Sequence, residues 1–134
     1  MLVTRRRDSL TSTRRRYHMR IMVWVLGCAL LTGCASMNEK RADGPAKSFT
    51  SYKSVEDVSE CVLFAWQNQS LMGAHYGASI QPLAGGGKTV ISAGEIEFAD
   101  FRSSNSSTEV NLYFQSGLMD WRKNKRIESV NSCL

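Results

Sequence analysis

Glu95-Ile96-Glu97-Phe98-Ala99-Asp100-Phe101 and, a little further on, Glu109-Val110-Asn111-Leu112-Tyr113-Phe114-Gln115 alternate charged or polar side chains with apolar ones. Successive side chains on a strand point to opposite faces, so this period of two predicts two half-buried strands. Ile96, Phe98 and Phe101 are expected on the apolar side, with Glu95, Glu97 and Asp100 in water. Val110, Leu112 and Phe114 are expected inward and Tyr113 outward. Between the two runs, Ser103-Ser104-Asn105-Ser106-Ser107 is built of turn formers. Working back, Tyr76, Ala78 and Ile80 alternate with Gly77, Ser79 and Gln81 until Pro82, which ends a strand or confines it to an edge. Gly85-Gly86-Gly87 then supplies a turn before Thr89-Val90-Ile91. The expectation is an antiparallel meander of about four strands with one apolar and one wet face.

Helical spacing brackets this sheet. Ser54 with Asp57 three positions on resembles a capping box, and Val55, Val58, Val62 and Ala65 then recur at helical spacing beside Cys61 and Trp66. That predicts a helix over Val55–Gln69. At the other end, Ile127, Val130 and Leu134 share a stripe with Cys133 beside them, and Lys123, Lys125, Arg126 and Glu128 are expected in solvent. Trp121 stands where it can plug the start of that helix. The expected fold is α+β, a single sheet with an N-terminal and a C-terminal helix packed on its apolar face.

Upstream lies a different kind of segment. Ile21–Leu31 is an apolar run too short for the about 20 residues of a spanning helix, and it follows Arg5-Arg6-Arg7, Arg14-Arg15-Arg16 and Arg20. A short apolar run behind a basic flank has the form of a secretory signal. Leu31-Thr32-Gly33-Cys34 resembles the lipobox of bacterial lipoproteins, in which the leader is cleaved before the cysteine and that cysteine is acylated. The resemblance implies residues 1–33 as signal peptide, with Met19 as an alternative start; residues 34–50, polar and turn-forming with no period that could pack, read as a flexible tether, and residues 51–134 as the domain. Ala35-Ser36 lack the aspartate that retains such proteins at the inner membrane. The implied address is the outer membrane, facing the periplasm, with membrane lipid engaged through acylated Cys34.

Cleavage would change the electrostatics. The whole chain carries 17 basic and 12 acidic residues; seven arginines and Asp8 precede Cys34. The remainder is slightly acidic. A nucleic-acid partner is therefore not expected, since binding one needs excess positive charge on the domain itself. Cys28 would leave with the leader, and Cys61 with Cys133 reads as a disulfide, because a small exported domain can form one and benefits from it. No Cys-x-x-Cys occurs, and His75 is the one histidine after Cys34. No metal and no cofactor is expected.

Gly85-Gly86-Gly87-Lys88-Thr89 departs from a phosphate loop, because Pro82 occupies the place of the first glycine and Val90-Ile91 continues as strand. Glu95 and Glu97 are weighed as an acid–base or calcium pair against a solvated strand face, and the second reading is preferred. Two contact surfaces are expected: Trp121 with Lys123, Lys125 and Arg126, and the wet sheet face carrying Glu95, Glu97 and Tyr113. A helix bearing Cys61 and Trp66, then short strands, then a final helix with Cys133 is similar to a set of small proteobacterial lipoproteins of uncharacterised function. No catalytic residue carries over from them. The expected role is non-enzymatic, structural or binding, with an envelope protein as partner. The alternatives are an accessory subunit of an envelope or secretion complex and a small hydrolase built around His75.

Overall fold

The structure, a computed structural model, describes residues 36–134. The leader, the lipobox and Cys34 lie outside the described residues. The chain divides into two compact units, Met1–Asn38 and Glu39–Leu134. Of the first, only residues 36–38, the first turn of a helix, are described.

The elements run α1 (Ser36–Asp43), β1 (Lys47–Ser51), α2 (Val55–Asn68), β2 (Ser70–Leu71), β3 (Ala74–His75), β4 (Ala78–Pro82), β5 (Lys88–Ser92), β6 (Glu97–Ser104), β7 (Ser107–Phe114) and α3 (Asp120–Asn131). Strands β4 to β7 form the expected meander, and β1 adds to its far side in the order β1-β7-β6-β5-β4, antiparallel throughout. The fold expected from the sequence is corrected here. The main sheet has five strands rather than four, a second sheet of two strands pairs β2 with β3, and three α-helices are described. Helix α2 follows a strand instead of preceding the whole sheet. From residue 36 onward the expected tether is a helix and an edge strand. The reason lies in β1, where Phe49 pairs with Val110 and packs against the core, while Ala46 N–H donates to the Leu112 carbonyl. Pairing along β7, rather than extensive burial, holds that segment in place.

Ser54 starts α2 by accepting a hydrogen bond from Asp57 N–H at 3.1 Å. Its hydroxyl donates in turn to the Asp57 carboxylate at 2.8 Å, so the shorter aspartate meets the cap's side chain where a glutamate would reach its backbone. The buried stripe is Val58, Val62 and Trp66. It packs with Val130 of α3 onto Val90, Ala99, Phe101, Val110 and Leu112 of the sheet. Cys61 and Cys133 are bonded across 72 positions, joining α2 to the end of α3.

Backbone with positive φ shapes several turns, two of them tightly. Met72 and Gly73 both have positive φ, 53° and 80°, the arrangement of a two-residue type I′ hairpin. At Gly87, with φ of 104°, a Cβ would collide with the Phe101 carbonyl oxygen, so only glycine closes the β4–β5 turn against β6.

The strand expectation also shifts by one residue in β6. Partners across an antiparallel pair share a face, and Glu97 faces Phe114 while Ala99 faces Leu112 and Phe101 faces Val110. Since β7 turns its apolar set toward the helices, β6 presents Glu97, Ala99 and Phe101 there, and Phe98 with Asp100 to the opposite face. Both faces are covered: Phe98 and Asp100 are buried, as are Thr89, Ile91 and Tyr113. The expected wet face is thus covered at its centre, while Ser48, Thr50, Ser79, Gln81 and Glu109 remain exposed toward its margins.

Opening the Cys61–Cys133 loop should cost roughly 2–5 kcal/mol. Urea unfolding of Cys133→Ser against the wild type measures it, and an unmoved midpoint would show that packing of α2 on α3 suffices.

Candidate functional site

The carboxylates of β6 organise two charged clusters, one on each face of the sheet. On the helix-bearing face, α3 places Arg122 and Arg126 one turn apart, so both side chains reach the same point. Arg126 Nε donates to Glu97 Oε1 at 2.7 Å, and Arg122 Nη2 donates to the same oxygen at 2.9 Å. Arg126 and Glu97 are each 0% exposed. Arg126 also donates to Gln69 Oε1 at 3.0 Å and lies 4.7 Å over the Trp66 ring, while Arg122 lies 4.4 Å over Tyr76. The cluster thus ties α3 to β6, to the end of α2 and to the segment after the β2–β3 hairpin. Burial draws the Arg126 guanidinium below its ordinary value, and the Glu97 carboxylate opposes that pull.

On the other face, Arg41 of α1 forks onto Asp100, with Nε donating to Oδ2 at 2.7 Å and Nη2 to Oδ1 at 2.9 Å. Such a bidentate fork is the strong form of the pair. Thr89 donates to Asp100 Oδ1 at 2.7 Å. Phe98 stacks on Tyr113 with centroids 4.6 Å apart, and Arg41 lies 5.0 Å over the Phe98 ring. The hydrogen bond to Asp100 raises the Arg41 guanidinium above its ordinary value against the effect of burial. Burial, and after it the Asp100 carboxylate, pushes the Tyr113 phenol up.

These placements revise both expected contact surfaces. Arg126, expected in solvent, and Glu97, expected on a wet face, are bonded to each other inside the protein. Tyr113 is 7% exposed and stacked on Phe98 rather than displayed. Glu95 is exposed but stands in a short 3₁₀ turn, Ala93–Glu95, with φ of 54°. It shares no strand with Glu97, so the two carboxylates do not form a pair. His75 lies exposed in β3 opposite Ser70.

Besides Glu95, three of the expected surface residues do remain accessible. Trp121 is 37% exposed, Lys125 is exposed, and Lys123 is half-buried beside Asp120 at 3.2 Å. Cys61 and Cys133 are bonded to each other as expected; Cys34 lies outside the described residues. Sequence reasoning missed Arg41, Asp100 and Arg122 as paired groups. A signal was present for one of them: stepping back from Val130 by fours meets Arg126 and Arg122 on the buried stripe.

Among the described residues, no group of three or more His, Cys, Asp or Glu side chains is placed to hold a metal ion. No described helix is long and apolar enough to cross a membrane. No protein-family model, curated protein or solved structure matches this chain.

Removing Glu97 would leave two buried guanidiniums without a counter-charge, a change that costs about 3–5 kcal/mol. Glu97→Gln should therefore lose more stability in urea than Arg122→Met, which keeps the Arg126–Glu97 bond. The reverse order would remove Glu97 from the centre of the cluster.

Proposed function

We propose that this chain is an exported, lipid-anchored protein of the bacterial envelope, facing the periplasm, with a structural or binding role rather than an enzymatic one. The disulfide between Cys61 and Cys133 carries the reading, because such bonds persist in oxidising compartments and are rare in the cytosol. Leu31-Thr32-Gly33-Cys34 behind an apolar run supplies the route of export and the acylation site. The interior chemistry supports the non-enzymatic part. Glu97, Arg122 and Arg126 are engaged with one another, as are Asp100, Arg41 and Thr89, and each set joins elements of the fold. An envelope protein is the proposed partner.

Cells grown with a clickable fatty-acid analogue should incorporate it into the wild-type chain and not into Cys34→Ser. Equal incorporation in the two would overturn the anchor.

A further inference from the structure

Tyr52, Phe64, Met72, Met119 and Trp121 are the large apolar side chains left exposed among the described residues. Two of them stand together, joined by a hydrogen bond from Trp121 Nε1 to Met119 Sδ at 3.4 Å. They occupy the junction between β7 and α3, where the Ser116-Gly117 turn leads into the helix. Lys40 of α1 reaches this junction, donating to Ser116 Oγ at 3.0 Å. A shallow cleft also opens here, lined by Ala46, Ser116, Asp120 and Lys123 among others. One end of the domain therefore gathers an indole and a thioether near the place where α1 docks, with Lys40 3.8 Å from Asp43 and Lys123 3.2 Å from Asp120.

That end is also the one covalently closest to Cys34. Four residues separate Cys34 from Glu39, and even fully extended the five steps span at most about 18 Å. A bilayer holding acyl chains on Cys34 lies within that reach of the α1 segment that carries Lys40. Indole rings favour the level of the lipid headgroups, where their apolar body and polar N–H are both accommodated. Lysine stems lie along apolar surface while their ammonium groups meet anionic headgroups.

We infer that Met119 and Trp121, beside the Ser116 junction that Lys40 reaches, form a membrane-contact surface that seats the domain on the same bilayer that holds Cys34. This rests on the lipid-anchored reading above. The occupant is the headgroup layer of that bilayer, and the domain rides against it instead of standing off on a spacer. Tyr52, though more exposed than Trp121 at 90%, belongs to another region. Its neighbour Lys53 donates to the Cys133 carbonyl past the far end of α3, about 18 Å of helix from Trp121.

The test reconstitutes the mature acylated chain in vesicles of three parts phosphatidylethanolamine to one part phosphatidylglycerol, with and without bromine on the acyl chains. Flotation reports anchoring and tryptophan emission reports contact. Emission should fall by roughly half in brominated vesicles, since Trp66 is buried in the core and Trp121 alone is reachable. Trp121→Phe should abolish the fall, Met119→Ser should weaken it, and Tyr52→Ser should leave it unchanged. Equal emission in both vesicles from protein that floats, or a fall that persists in Trp121→Phe, would overturn the contact surface and leave the anchor standing. Protein that does not float at all would overturn both.

Discussion

A carboxylate with no exposed surface sits at the start of β6 and holds two guanidiniums on a single oxygen. Glu97 has little choice of direction. Val110, Leu112 and Phe114 must face the helices to make a core, and pairing carries the facing residues of β6 to the same side. Once Glu97 is inside, a cation must follow, because an isolated buried charge is far costlier than a paired one. Arg126 and Arg122 meet that demand from α3, which fixes the rotation of the helix and its height above the sheet. Gln69 and the rings of Trp66 and Tyr76 line the guanidiniums, while Arg126 Nη2 and Arg122 Nε are buried without a hydrogen-bond partner.

Asp100, three residues further along β6, repeats the arrangement on the opposite face. Its partner comes from the other end of the described chain, since Arg41 lies in α1. One strand thus receives the C-terminal helix through one side chain and the N-terminal helix through another. The stacked Phe98 and Tyr113 give the Arg41 guanidinium a flat surface beside its fork. Both ends of the described chain are fastened to β6, which lies at the centre of the sheet.

The parts legible in the sequence are those governed by local pattern. The α2 stripe, its Ser54 cap, four strand positions, the glycine turn and the cysteine pairing all follow from period, turn chemistry or compartment. What was not legible depends on partners remote in sequence. Alternation of polar and apolar residues distinguishes in from out only when one face of a sheet meets water, and β6 is covered on both. Glu97 and Asp100 therefore looked solvated, although each is neutralised by an arginine far away along the chain. Lys47-Ser48-Phe49-Thr50-Ser51 looked like tether because its single large apolar residue shows no period; its strand character comes from the open edge of β7. Of the site, Glu95, Trp121, Lys123 and Lys125 were accessible as expected. Arg126, Glu97 and Tyr113 were not, because composition does not reveal which charges will be paired.

The bond from Cys61 to Cys133 closes a covalent ring that contains β2 through β7 and all of α3. A protease cutting once at an exposed turn inside that ring, such as Gly85-Gly86 or Ser116-Gly117, opens a loop but releases no fragment. The two pieces stay linked through sulfur and through the sheet. Strand β1 and the first turns of α2 lie outside the ring. There, around Tyr52-Lys53, a single cut separates the N-terminal strap from the body, leaving hydrogen bonds to β7 and the fork on Asp100 to hold it.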